Sequence, residues 1–374
     1  MSSLRGLGHR LYAGEVSYDY IGRRKTWYIV SGIILLVAIA AVLIRGLNFG
    51  IEFRGGAEFS LPNATCSVEQ ARGVADDLTG AQSIVTETAS GTVRVQTEAV
   101  TPAQSVEISR ALADTCGVST DDITVQVVGP TWGAEISKKA LQGLIVFIIL
   151  VAIFLSIYFE WRMAAAALVA LVHDLVITIG IYALTGLQVT PATVIGLLTI
   201  LGYSLYDTVV VFDKVKEHTR GLAGQSVMTY GEAANLAVNQ TIVRSINTSI
   251  VALLPVLAII IVGAGFLGAG TLLDLAVALA IGMAAGTYSS IFIATTFLVQ
   301  LKERQPEMKS LASRVHARRK QSKAAAPSAA TGPASADAGV EAASAAGATA
   351  AVRRSDPSVR QQPRKQTRSR RGKN

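Results

Sequence analysis

Apolar runs without a charged residue recur along the chain, and they set its organisation. About 20 helical residues, at about 1.5 Å each, cross a hydrocarbon core. Residues 26–44 lie between Lys25 and Arg45 with no charge, and residues 140–159 do the same between Lys139 and Glu160. From Met163 to Tyr206 only His173 and Asp174 interrupt the pattern. That stretch is too long for one helix, and it carries a break at Thr185-Gly186-Leu187-Gln188, ahead of Pro191. After Arg244 come 29 uncharged residues, interrupted by the glycine-rich Gly263 to Gly270, and a last uncharged run covers 275–301. The pattern predicts six transmembrane helices, the first at 26–44 and helices two to six within 139–301. The first span reads as an uncleaved anchor, because its apolar core is too long for a signal peptide and no small-residue cleavage site follows it.

Between the first two spans, residues 45–138 change character. Ala57–Leu61 alternates as a strand does, and Ser67–Leu78 has helical spacing behind a cap-like Cys66-Ser67-Val68-Glu69. Ser83–Thr88 and Thr92–Val100 alternate around Ser90-Gly91, a hairpin signal. Pro102 stands where a helix over Ala103–Asp114 should begin, and Ile123–Val128 alternates again. The order βαββαβ predicts a small α+β, ferredoxin-like extracytoplasmic domain. Both cysteines, Cys66 and Cys116, fall in it, at the start of its first helix and the end of its second. Such a layout brings those two positions to one end. An external compartment permits a disulfide there, and two unpaired thiols remain the alternative.

Composition changes the picture in two respects. The chain of 374 residues is 51% hydrophobic and 16% charged, where soluble proteins are usually nearer a quarter charged. Its formal charge of +8 belongs to one end: residues 302–374 carry 17 Lys/Arg against 5 Asp/Glu, a net +12 that leaves −4 for residues 1–301. This Ala/Ser/Pro/Gly-rich, then Arg-rich stretch predicts a disordered basic tail. It serves as a solvated topology determinant, or it contacts anionic lipid or RNA. Arg23-Arg24-Lys25 abuts the first span, so residues 1–25 are expected in the cytoplasm; six spans return the tail to the same side. The expectation is a multi-pass protein of the cell membrane with both termini cytoplasmic. Lys138-Lys139, at the outer end of span two, runs against the positive-inside pattern.

Ionisable groups inside the spans are the candidate chemistry, since burying them in lipid is costly and they mark ion or proton pathways. Asp207 sits in Tyr203–Glu217 of span four, and Arg244 near the start of span five. With span four leaving the membrane near Asp213 and span five entering near Asn239, the two lie roughly 9 Å and 7 to 8 Å deep. Matched depth on consecutive antiparallel helices predicts an ion pair that a proton makes and breaks. Asn247 and Thr248 share Arg244's helix face, and Tyr203 precedes Asp207 by four residues. Asp174, about 16 Å into its span, joins the proton-coupling set. His173 is either a satisfied interior histidine or, with Asp213, Asn247 and Thr248, part of a relay. Gly282–Gly286 forms a GxxxG spacing that permits close helix approach. Asn48 to Gly56, with glycines at 50, 55 and 56, predicts a constrained turn where span one meets the outer domain. No GxxxxGK[ST] phosphate loop, metal-ligand spacing or nucleophile–base constellation occurs in the sequence, so neither an enzyme nor a cofactor is expected.

These segments carry a resemblance. YDYIGRRKTWY before the first span, GIEFRGG after it, GYSLYDTVVVFDKVKE in span four, NQTIVRSINTS in span five and LDLAVALAIGMAAGTYSSIFIA in span six occur in one order. Over residues 18–301 the chain resembles the SecF family of the bacterial SecD–SecF accessory complex, within the resistance-nodulation-division superfamily. The basic tail and tyrosine-rich N-terminus are similar to actinobacterial members. The resemblance implies a six-span subunit that uses the proton motive force late in export. It would act with SecD on preprotein leaving the SecYEG channel after SecA and ATP have pushed it in. Asp207 and Arg244 match the family's essential aspartate and arginine, while Tyr206 stands where many members have asparagine. Two alternatives belong to other classes: a small-molecule or lipid exporter of the same superfamily, and a non-conducting scaffold of the translocon. Proton and sodium coupling both remain open.

Overall fold

In the computed structural model, residues 17–87, 91–262 and 270–324 are described. Helix α1 (Arg24–Arg45) leads to a two-residue strand β1 (Asn48–Phe49) and a one-turn helix α2 (Ile51–Arg54). A small mixed domain follows: β2 (Gly56–Leu61), α3 (Val68–Thr79), β3 (Ile84–Glu87), β4 (Val93–Thr97), α4 (Pro102–Cys116) and β5 (Thr124–Val128). Then come α5 (Pro130–Tyr158), α6 (Trp161–Thr185), the short β6 (Gln188–Val189), α7 (Pro191–Thr219) and α8 (Tyr230–Val262). The last long helix has three parts: α9 (Gly270–Ser289), a π-helical turn at Ser290–Ala294, and α10 (Thr295–Glu303). Helix α11 (Pro306–Ala324) ends the described chain. Among the described residues six helices are long and apolar enough to cross a membrane, which makes this a mostly helical, multi-pass membrane protein.

The small domain forms where the alternation placed it. Its antiparallel sheet has the order β3-β4-β2-β5, so β2, first in sequence, lies inside the sheet. One sheet face offers Ala57, Phe59, Leu61, Val93 and Val95, which bury against Ala71, Ala75, Ile108 and Leu112 of α3 and α4. Each large side chain so buried contributes about 1.5–3 kcal/mol. Both helices begin with reciprocal capping boxes, Ser67 with Gln70 and Thr101 with Gln104. Cys66 and Cys116 are joined by a disulfide across a Cα separation of 4.4 Å. Of the hairpin signal, Ser90 lies outside the described residues, as does most of Gly263 to Gly270.

The glycine-rich turn at residues 50–56 roots this domain in the helical bundle. Strand β1 pairs in parallel with β6, and Gly50 N–H donates to the Val189 carbonyl at 2.9 Å. Gly55 and Gly56 take φ of 80° and 135°, where L side chains are strained. A Cβ on Gly56 would lie 2.3 Å from the Thr97 carbonyl oxygen, and one on Gly133 of α5 would lie 2.8 Å from the Phe53 carbonyl oxygen. Backbone thus meets backbone on both sides of the turn. Within the bundle, small residues draw α7 and α9 together. Gly196 faces Ala278, Gly282 faces Ile200, and Gly286 faces Ser204, so the GxxxG spacing is one half of a close helix seam.

Three expected boundaries move. Helix α5 begins at Pro130 rather than near Lys139, because Pro130 sits in its first turn and Gly129 supplies an extended N-cap. Helices α7 and α8 extend beyond the apolar stretch, so the link between them is 220–229 instead of 213–238. Hydropathy marks where lipid ends; hydrogen bonding marks where a helix ends. The tail expected to be disordered from 302 is helical to Ala324, since Leu311 and Val315 are fully buried in the main core of the bundle. The remainder of that expectation, from 325 on, lies outside the described residues.

Candidate functional site

Helix α7 turns Gly196, Ile200, Ser204, Asp207, Val211 and Val215 inward at three- and four-residue spacing. Asp207 therefore enters the bundle with only 5% of its surface exposed. Two hydroxyls meet its carboxylate. Ser245 of α8 donates to Oδ1 at 2.6 Å, and Ser290, the first residue of the π-helical turn, donates to Oδ2. The widened turn carries Ser290 to this position, and Thr295 answers it by donating to the Ser290 carbonyl at 3.3 Å, five residues back. Asp207 is thereby held by one group from each of two neighbouring helices.

A second buried acid lies one helix away. Asp174 of α6 is 1% exposed and accepts a 2.5 Å hydrogen bond from Ser204, one turn before Asp207 on α7. His173 is 5% exposed, with Nδ1 3.3 Å from Asp174 Oδ1 and Nε2 without a hydrogen-bond partner. Its ring stacks on Tyr288 at a centroid distance of 6.0 Å, and the Tyr288 hydroxyl meets Ser31 of α1 at 2.9 Å. Tyr288 continues through Phe292 to Tyr20 and Trp27. The residues before α1 are fastened to α8: Asn235 accepts from the Tyr20 N–H and Asn239 from the Tyr18 N–H, both at 2.8 Å.

The expected ion pair does not form. Arg244 is exposed on α8, and its side chain has no hydrogen-bond or ion-pair partner among the described residues. The reason is helical phase: consecutive residues stand about 100° apart, and Ser245 holds the inward position. Asn247 is exposed on the same outer side, and Thr248 donates back to the Arg244 carbonyl at 2.7 Å. The polar stripe expected beside Asp207 therefore faces away from it. Asp213 is exposed at the far end of α7, apart from both acids. Tyr203 reaches Ser249 at 3.3 Å, and Thr287 donates to the same Ser249 at 2.7 Å, which ties α7, α8 and α9 together.

Ser204, Ser245 and Ser290 complete the site, yet none was singled out in the sequence. The available signal was spacing: Ser204 lies three residues before Asp207, and Ser245 directly follows Arg244. Among the described residues no group of three or more His, Cys, Asp or Glu could hold a metal ion. The arrangement offers two carboxylates on adjacent helices, each dressed by hydroxyls that can rotate.

Comparison with known proteins meets these observations. A family model described as "Protein export membrane protein SecD/SecF, C-terminal" matches residues 107–304, and "SecD/SecF GG Motif" matches residues 40–62, the rooted glycine turn. The protein translocase subunit SecF of Streptomyces coelicolor is 52% identical over 322 residues, covering 86% of each chain. SecF of Mycobacterium tuberculosis is 45% identical over 329 residues, or 84% of this chain and 74% of that one. The crystal structure of SecDF from Thermus thermophilus superposes with a TM-score of 0.69 at 28% identity, over 77% of this chain and 39% of that one. From the matched models, the extent of these identities and the shared fold, the chain belongs to the SecF branch of the SecD/SecF protein-export family, with close relatives among actinobacteria.

Proposed function

We propose that this chain is the proton-coupled subunit of a SecD–SecF pair that promotes the late stage of preprotein export. The observation that carries the reading is the Asp207 carboxylate, buried among three helices and held, among the described residues, by the Ser245 and Ser290 hydroxyls. An ionised carboxylate only accepts hydrogen bonds, so both serines donate to it. A protonated one becomes a donor, and one serine must turn away. The helices that carry the serines then prefer another packing, which is the bistable element a driving force requires. One charge moved through 100 mV supplies about 2.3 kcal/mol. Asp174 lies one hydroxyl from the helix of Asp207 and serves as a second carrier, with His173 beside it.

Arg244 acts in this reading toward the partner. Its side of α8 also exposes Val251, two turns further on, and Leu254 beside it, a surface suited to a second set of spans. Relatives named SecDF, from Thermus thermophilus and Bacillus subtilis, are longer, and this chain matches 39% and 38% of their lengths. That supports SecD as its partner, and in this reading SecYEG, SecA and preprotein form the wider assembly. The βαββαβ order and the sheet order β3-β4-β2-β5 support a ferredoxin-like domain; in this reading it lies outside the cytoplasm, with both chain termini on the cytoplasmic side, from the basic cluster before α1. Asp207→Asn tests the coupling, because it preserves shape and removes the titrating proton. The expected result is a complex that assembles normally but no longer responds to the proton motive force when vesicles complete preprotein transport. Transport at wild-type level in this variant would reduce the role to a scaffold.

A further inference from the structure

A cavity of about 410 Å³ opens at the end of the bundle nearest the small domain, between α5, α6 and α7. Phe49 and Phe53 of the glycine turn roof it, and Leu141, Leu144, Ile179 and Leu198 are among the side chains of its walls. It lies within membrane-crossing helices, where the surrounding solvent is acyl chain. Of the lining side chains, only those of Ser137, Tyr182 and Thr193 carry polar atoms. The cavity neither invites water nor offers a polar ligand more than a few hydrogen bonds.

The rim is cationic. Arg45 ends α1 two residues before the lining Leu47, and Arg54 lies over the lining Phe49 with its guanidinium 5.8 Å from the ring centroid. Lys138 follows the lining Ser137 and flanks the face of α5 that carries Ser137, Ala140, Leu141 and Leu144, whereas Lys139 falls on the far side of the helix. Arg45, Arg54 and Lys138 are exposed and none is ion-paired among the described residues, although Arg45 donates to the Leu184 carbonyl at 2.6 Å. Two acids are close in sequence. Glu52 is folded back toward Gly50, and Glu135 lies on α5 beside the lysines. Asp274 of α9 also stands near, its carbonyl accepting from the lining Tyr182 at 3.4 Å, so Arg45, Arg54 and Lys138 leave a small positive excess. Lys138 is also one of the two lysines that contradict the positive-inside pattern, and a phosphate partner accounts for a cation at that end.

We propose that this cavity is a binding site for an anionic phospholipid, with one acyl chain between α5 and α7 and the headgroup phosphate on the Lys138, Arg45 and Arg54 rim. The site lies below the turn that roots the domain, so its occupant would stiffen the joint between domain and bundle. Charge complementarity selects a diacyl lipid over an apolar polypeptide segment, which would leave the cations unanswered.

The test uses the full chain assembled with its SecD partner, in phosphatidylcholine nanodiscs containing phosphatidylglycerol with a photoreactive acyl chain. Labelling is expected to concentrate at the half-buried Leu144 and Leu198 over the lipid-exposed Leu36 and Leu43 of α1. The same probe on phosphatidylcholine should label these walls less. Lys138→Gln, an exposed change that spares the fold, should cut the preference for phosphatidylglycerol about fivefold. Leu198→Trp should remove the wall labels by filling the space. Labels spread evenly over α1 and α5, equal labelling by the two lipids, an unchanged preference in Lys138→Gln, or a translocating polypeptide cross-linked in the cavity would each overturn the proposal.

Discussion

At the scale of single residues, the buried acid is defined by its donors. Ser245 and Ser290 both donate hydrogen bonds to Asp207, with the Thr287 carbonyl at 3.2 Å as a second acceptor for Ser290, whereas most hydroxyls in these helices turn only to their own backbone. Ser249 donates to the Ser245 carbonyl, Thr296 to that of Phe292, and Ser289 to that of Gly286. Removing a donor from a buried charged acceptor costs about 1–3 kcal/mol. Ser290→Ala should therefore lower the proton-driven rate of preprotein transport about tenfold, by destabilising one of the two protonation states, with assembly intact. Ser289→Ala, next to it and fully buried, removes only a backbone-directed bond and should leave the rate close to wild type. Equal behaviour of the two in a vesicle transport assay would remove Ser290 from the mechanism. The sequence made Asp207 legible because a lone acid in an apolar run is conspicuous. It hid the serines, which look alike whether they bond a neighbouring helix or their own. Depth along the helix was readable for Arg244, but rotation was not, because matched depth places no constraint on phase.

At the scale of elements, local chemistry and sequence agree where backbone hydrogen bonds stay within one element. The cap at Ser67, Pro102 in a first turn and the break at Gly186 are of this kind, while the start at Pro130 was masked by hydropathy, which turns apolar only after Lys139. The π-helical turn at Ser290–Ala294 was not legible, since it depends on what α7 and α8 present to it. The glycines separate the two cases. Gly73 lies inside α3, and a Cβ there meets nothing within 4 Å, whereas one on Gly56 meets the Thr97 carbonyl at 2.3 Å with φ already at 135°. Gly73→Ala should stabilise the protein by about 0.5–1 kcal/mol through helix propensity. Gly56→Ala should destabilise it by at least about 2 kcal/mol, since backbone cannot yield as a flexible side chain can. Thermal unfolding of the purified complex followed by circular dichroism distinguishes them. Shifts of one sign would mean that the turn relaxes.

At the scale of the whole molecule, the end of the bundle away from the domain is braced by a helix that composition assigned to a disordered tail. Helix α11 is strongly basic, and charge alone argued against a core. Its two buried positions, Leu311 and Val315, stand four residues apart on one face and join the core that includes Leu222, Ala234 and Leu298. Polar contacts fix its register. Arg314 donates to the Ala223 carbonyl at 2.6 Å, and Arg319 pairs with Glu232 at 2.7 Å, so α11 closes the link between α7 and α8. Beside it, Arg24 pairs with Glu303 at 2.7 Å and Lys302 with Glu160, which gathers α1, α6 and α10 at the same end. The consequence can be tested by truncation. A stop after Ala324 keeps every one of these contacts, and the melting midpoint of the detergent-solubilised complex should not change. A stop after Arg304 removes the brace and exposes the core beneath it, so the midpoint should fall. Leu311→Asp alone should reproduce most of that fall, because losing a buried leucine costs about 2–5 kcal/mol and burying a carboxylate adds to it. Were all three variants to melt with wild type, α11 would be an ornament on the bundle, and the composition-based reading of this segment would be the better one.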